Sequence, residues 1–286
     1  MNTARTTSIT LLSLLLSYTV AAEPLFFQAK KEDKELMILG SIHIGHPKMY
    51  PLPEAINDFL KTSDAIITEM KLTDNIPTMP TGTILTNQVL DKQQLLKLEE
   101  INQQLSFNPK AFLNKPAWQT AMTLQISQFI KMGFSQDLGT DHYITEQATM
   151  LDKPILGLES AKFQLSLFTD DPKTGELMLT DTIDNWTEHQ EVSQCLAQNW
   201  QAGNKEKLTE FLSKNSLDEA LNDQFIYQRN HVWADKLTSN SFINDGKYLV
   251  VVGALHLVGK DNLITLLSEK GFEVTQLSKE QSLDCL

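Results

Sequence analysis

Tyr248-Leu249-Val250-Val251-Val252-Gly253-Ala254-Leu255-His256 is the stretch that decides the fold. Five consecutive apolar residues, three of them valine, predict a strand buried on both faces. Such a strand belongs to a parallel sheet covered by helices. The run breaks at a glycine and delivers a histidine three residues later. The same design stands near the other end of the chain, where Leu36-Met37-Ile38-Leu39 runs into Gly40-Ser41-Ile42-His43. Gly45 and Gly259 follow the two histidines, and glycine lets backbone bend sharply or approach closely.

Two shorter apolar runs also end in chemically capable residues. Ala65-Ile66-Ile67 leads into Thr68-Glu69, and Ile155 to Leu158 leads into Glu159. Outward from these strands the periodicity turns helical. Pro53 to Lys61 reads as a short helix, and Asp74 to Gly82 as a loop punctuated by Pro77 and Pro80. Gln88–Leu105, Lys115–Met132 and Thr140–Leu151 follow as helices. In the second, Asn114 is a candidate cap, and Trp118, Met122, Gln125, Ile126 and Phe129 share one stripe. Leu177 to Lys236 is helical again, with Ser216 and Glu219 as a capping box, and Asp261 to Lys270 is a last helix before the strand Phe272–Leu277. Strands alternating with helices imply an α/β fold: a mostly parallel central sheet flanked by helices, with helical insertions over one edge. No linker or composition shift divides residues 23–286, which read as a single domain.

The N-terminus carries Arg5, an apolar run from Ile9 to Val20, and Ala21-Ala22 before Glu23. This is the pattern of a secretory signal, here residues 1–22, and it places the protein in the periplasm without a membrane anchor once the signal is cleaved. Cys195 and Cys285, the only two cysteines, are then expected to pair in an oxidising compartment. A formal net charge of -12 excludes a nucleic-acid binder, which needs a basic face. It equally excludes adhesion to anionic lipid through a polybasic patch. A mean hydropathy of -0.22 with one long apolar stretch excludes a polytopic membrane protein.

If the four strands are mostly parallel, His43, Glu69, Glu159 and His256 converge at the carboxyl edge of the sheet, where open α/β folds bind ligands. Two imidazoles and two carboxylates form the ligand set of a divalent cation. Arg229 shares a helical stripe with Phe225, Val232 and Trp233, and a buried arginine needs an anionic partner. It reads either as a clamp on a site carboxylate or oxyanion, or as a side chain covering apolar surface. Asn230 reads as an orienting group for a site carboxylate or as a solvent-facing residue. Asp141 reads as serving a helix dipole, His46 as a spare ligand near His43 or, before Pro47, a turn residue, and His189 and His231 as surface residues.

These residues carry a family likeness. Gly40-Ser-Ile-His-Ile-Gly-His-Pro with Tyr50-Pro-Leu-Pro, Ile67-Thr-Glu69, Gly139-Thr-Asp141 and Lys153-Pro-Ile-Leu-Gly-Leu-Glu159 resemble, in order, motifs of the TraB/GumN family, which includes the Tiki metalloproteases. Trp200-Gln-Ala-Gly203, Arg229-Asn230 and Gly253-Ala-Leu-His256 continue the series. The resemblance implies a fold shared with erythromycin-esterase-like proteins and the ChaN haem-binding lipoprotein. For the Tiki branch it implies metal-dependent cleavage of peptide or amide bonds, which carries over here to His43, His256 and Glu69 as metal ligands with a glutamate as base. In that reading the substrate is a peptide or small molecule, Glu69 or Glu159 accepts a proton, and Arg229 steadies an oxyanion. Manganese, cobalt and zinc all suit mixed histidine and carboxylate ligands. The alternative is a periplasmic protein that binds haem or another small ligand at the same edge without turnover.

Overall fold

The computed structural model describes residues 22–71, 83–214, 218–281, 283 and 285. The signal segment before Ala22, the loop Asp74–Gly82 and Ser216 of the expected capping box lie outside the described residues. Six strands build one sheet: β1 (Phe26–Lys31), β2 (Lys34–Ser41), β3 (Ala65–Met70), β4 (Ile155–Glu159), β5 (Gly246–Gly253) and β6 (Glu273–Gln276). Their order is β4-β3-β5-β2-β1-β6. The four strands that carry chemistry at their ends, β4, β3, β5 and β2, are neighbours and all parallel. β1 and β6 add antiparallel pairings on the far side. The register is level at the carboxyl edge: Ser41 pairs with Gly253, Thr68 with Val251 and Met70 with Glu159.

The helices are α1 (Glu54–Thr62), α2 (Thr86–Val89), α3 (Lys92–Gln104), α4 (Ala117–Lys131), α5 (Thr140–Met150) and α6 (Ala161–Thr169), then α7 (Pro172–Asp184), α8 (Trp186–Gln201), α9 (Lys205–Lys214), α10 (Glu219–Asn222), α11 (Gln228–Thr238) and α12 (Leu263–Glu269). α2–α5 follow β3 and α6–α11 follow β4, so both long insertions arise from one edge of the sheet. The central strands justify their apolar sequence: Ile38, Leu39, Ile66, Ile67, Val250 and Val252 are fully buried. A second, smaller core joins Leu98 and Ile101 of α3, Ala121 and Leu124 of α4, and Leu179 and Ile183 of α7. That core ties the first insertion to the second.

Three local expectations change. The stretch 88–105 holds two helices, because the Asp91 carboxylate accepts from the N–H groups of Gln93 and Gln94 and starts a new one. α4 begins after Pro116, with no side-chain cap from Asn114. Its buried face is Ala117, Thr120, Ala121, Leu124 and Gln128, which leaves the Trp118–Met122–Ile126 stripe turned elsewhere. At the start of α10, Asp218 is the capping residue, accepting from Ala220 N–H. The cysteines pair as expected: Cys195 on α8 is bonded to Cys285, with 5.6 Å between the Cα atoms. No helix among the described residues is long and apolar enough to cross a membrane.

Candidate functional site

β5 ends at Gly253 and the chain turns through a short 3-10 helix, Ala254–Leu257, that carries His256 into the interior. His256 is 3% exposed, its ring centred 4.3 Å from that of Trp233. Its Nδ1 lies 2.7 Å from Asn230 Oδ1. The Asn230 amide nitrogen donates to the carbonyls of Asp261 and His256, at 2.9 and 3.3 Å. The network therefore assigns Oδ1 as acceptor and places the imidazole proton on Nδ1. Nε2 keeps its lone pair, 3.8 Å from Glu69 Oε1. Burial holds His256 well below the ordinary histidine range, against the pull of Glu69 and with the help of the Arg229 cation, so the ring is neutral.

Glu69 stands one strand away, and its Oε1 accepts from Gly253 N–H at 2.8 Å. Arg229 Nη2 reaches Glu69 Oε2 at 2.6 Å and Glu159 Oε2 at 2.9 Å. Arg229 Nε donates to Glu159 Oε1 at 2.9 Å, while Nη1 meets the Phe225 carbonyl and, at 3.3 Å, His256 Nε2. All five guanidinium protons thus have acceptors within the protein. The residue clamps two carboxylates, and no proton is left over for an oxyanion. Phe225 and its neighbours Asp223–Tyr227 form a π-helical turn leading into α11, which sets Arg229 beneath the sheet edge. Burial alone would raise the Glu69 pKa, but the cationic and N–H partners around it hold the carboxyl well below the usual range. Glu159 is more enclosed, receiving Trp233 Nε1 at 2.8 Å in addition to Arg229. Its carboxylate secures Arg229, and it borders a separate cavity of about 550 Å3 rather than the cleft that holds the histidines.

His43 follows β2 and lies open in the cleft, its side chain 67% exposed. Its Nδ1 is 3.2 Å from Asp141 Oδ1, in the first turn of α5. Glycine makes that approach possible. A Cβ at Gly45 would sit 1.7 Å from the Leu138 carbonyl oxygen, and one at Gly139 would sit 2.5 Å from the His43 carbonyl oxygen. Gly45 pairs with Ser135 through two backbone hydrogen bonds, and Thr140 N–H donates to Ile42. Against the cost of desolvation in the cleft, the Asp141 carboxylate and Glu69 beyond it lift His43 to about 9. Both histidines thus have a side-chain oxygen beside Nδ1, hydrogen-bonded at His256 and an ion-pair contact at His43, the kind of outer contact that orients metal-ligating imidazoles.

His43, Glu69, Arg229 and His256 line one cavity of about 280 Å3. His43, Glu69, Asp141 and Arg229 also line an adjoining one of about 430 Å3. Glu159 opens on neither. Among the described residues, no three His, Cys, Asp or Glu side chains converge as a ready metal site. The physical reason is Arg229, whose guanidinium occupies the space between the carboxylates and His256. Asn230 orients a histidine rather than a carboxylate. Asp141 proves to be the partner of His43, a role its place at a helix start concealed. His46 caps the turn Pro47–Met49 through Nδ1, and His231 is exposed. His189, expected at the surface, is half-buried and pairs with Asp181 at 2.7 Å.

The model of the TraB/PrgY/gumN family matches residues 25–276. The protein YbaP of Escherichia coli (strain K12), described as uncharacterized, is 32% identical over 238 residues, which cover 82% of this chain and 88% of its own. YbaP of Shigella flexneri, described in the same words, is 33% identical over 233 residues, 80% of this chain and 86% of its own. No solved structure matches the chain.

Proposed function

The chain belongs to the TraB/PrgY/gumN family, and from that premise we propose that it is an exported, metal-dependent hydrolase of peptide or amide bonds. One observation carries the reading: His43, beside the Asp141 carboxylate, and His256, hydrogen-bonded through Nδ1 to Asn230, face the same cleft as the ionised Glu69. Neutral His256 Nε2 and Glu69 Oε1 are 3.8 Å apart, the spacing of two donors to one ion once the ion displaces Arg229 Nη1 from its 3.3 Å contact with Nε2, and His43 has the rotamer freedom of an exposed side chain to join them. A divalent cation held there, whether manganese, cobalt or zinc, would supply Lewis-acid polarisation of a carbonyl and activation of water. The protein's own part is positional. Arg229 and Gly253 N–H hold Glu69 ionised, Asn230 keeps His256 in one tautomer, and Asp141 aims His43. Glu159 supports Arg229 in this scheme. The Cys195–Cys285 bond supports export to the periplasm, since such bonds persist in oxidising compartments.

A second reading is favoured by the Asp141–His43 contact. With Asp141 beside it, His43 serves as an acid–base group and hydrolysis needs no ion. Turnover of a peptide library by the purified protein before and after chelation separates the two. Loss on chelation and recovery with manganese, cobalt or zinc supports the metal reading. Undiminished turnover supports the His43–Asp141 reading, and a Soret band on the purified protein supports ligand binding instead.

A further inference from the structure

We infer that the substrate is an internal stretch of chain carrying an apolar side chain on each side of the bond that is cut; the inference rests on the hydrolase reading of this site. The two cavities meet at His43, Glu69, Phe225 and Arg229 and extend from there in different directions. The larger runs between α4 and α6, over Met122, Ile126, Leu167 and Phe168. This gives the outward stripe of α4 a use, and Trp118 extends its wall by stacking on Phe168 at 5.1 Å between ring centres. The smaller runs toward α8 and α9, over Leu196, Trp200, Leu208 and Ile226. The reactive groups thus sit at the neck between two apolar chambers.

Charge decides between an internal segment and a chain end. An aminopeptidase needs a carboxylate to receive the terminal ammonium, and a carboxypeptidase needs a cation for the terminal carboxylate. Among the described residues lining the chambers, the titratable side chains are His43, Glu69, Asp141, Arg229 and the neutral His256. Each has a contact within the site: Asp141 with His43, and Glu69 with Arg229, which it shares with Glu159, beside neutral His256. Among the described residues, neither chamber offers a charged side chain without such a contact, so a charged terminus there would have to displace an existing pairing. Apolar side chains from both flanks would instead exchange water for Met122, Phe168, Leu196 and Ile226. Methionine in the larger chamber suits side chains of varied shape.

The test is binding of fluorescein-labelled, N-acetylated and C-amidated hexapeptides to the purified, disulfide-bonded protein, read by anisotropy without added metal. A central Phe-Leu pair should bind at least about tenfold more tightly than peptides with Asp or Lys at either central position. Met122→Ala and Leu196→Ala should each relax the discrimination at one position only. Tighter binding of peptides with a free terminus, equal binding of charged and apolar centres, or no binding of any hexapeptide would overturn the inference. Metal-restored hydrolysis of peptides with no such preference would sink it while leaving the hydrolase reading. Selective binding without turnover would do the reverse.

Discussion

Asn230 fixes the tautomer of His256. Its Oδ1 accepts the Nδ1 proton at 2.7 Å, and its amide nitrogen is anchored on two carbonyls, so the side chain cannot turn over without losing all three contacts. The lone pair on Nε2 is a consequence of that arrangement. Asn230→Leu keeps the volume and removes the acceptor. Affinity for manganese or cobalt, measured by calorimetry, should fall about 10- to 100-fold, the usual cost of losing such an outer contact. Unchanged affinity would remove Asn230 from the site.

Arg229 is the shared partner of two carboxylates that are nearly out of water, with side chains 11% and 5% exposed. Arg229→Met leaves both uncompensated and should destabilise the protein by about 3–5 kcal/mol in urea unfolding. Arg229→Lys should recover little, because a single ammonium cannot reproduce the fork that spans Glu69 and Glu159. Combining Arg229→Met with Glu159→Gln should cost less than the sum of the two changes, since the groups act as one network.

The Cys195–Cys285 bond closes a loop with a sequence separation of 90 and secures the C-terminal segment to α8. In the chain-entropy picture, opening a loop of that length costs about 4–5 kcal/mol. Reduction, or Cys285→Ser, should therefore lower Tm by roughly 5–15 °C in calorimetry. Both thiols alkylating without prior reduction would refute the pairing.

His189 and Asp181 form a partly buried pair remote from the cleft, with side chains 26% and 23% exposed. The hydrogen bond to Asp181 raises the His189 pKa against its burial, so this stabilisation is complete below about 6.5 and fades as pH rises through the raised value. Burial would raise the Asp181 pKa, but His189 and Asn185 lower it; its contribution is present above about 3.8 and is lost as pH falls through the depressed value. Asp181→Asn should thus cost most near pH 5, by about 1 kcal/mol, and little at pH 9. A penalty independent of pH in thermal unfolding would contradict this.

The sheet and its reactive edge were legible because apolar runs of four and five residues have one explanation, burial on both faces, and each run ended at a polar group. Parallel pairing then made the convergence of His43, Glu69 and His256 a matter of geometry. What lay hidden depended on contacts between segments. Asp141 meets His43 only because Gly45 and Gly139 let two loops touch, and nothing in a helix-start aspartate reveals that. Asn230 stands next to Arg229 in sequence, yet only Arg229 reaches the carboxylates, while Asn230 holds the far nitrogen of His256. The Trp118–Met122–Ile126 stripe had helical spacing, yet spacing does not say whether an apolar face meets a core or lines a cleft. The pairing of His189 likewise rests on the Asp181 side chain at the end of α7, placed there by the turn into α8.

The central claim is that His43, Glu69 and His256 together hold one divalent ion. Calorimetric titration of the chelated protein with manganese, cobalt and zinc tests it most directly, run beside His43→Ala and His256→Ala. The account predicts one ion per chain for the unaltered protein and no measurable binding to either variant. Hydrolysis that survives chelation, with no saturable binding of any of the three ions, would contradict it.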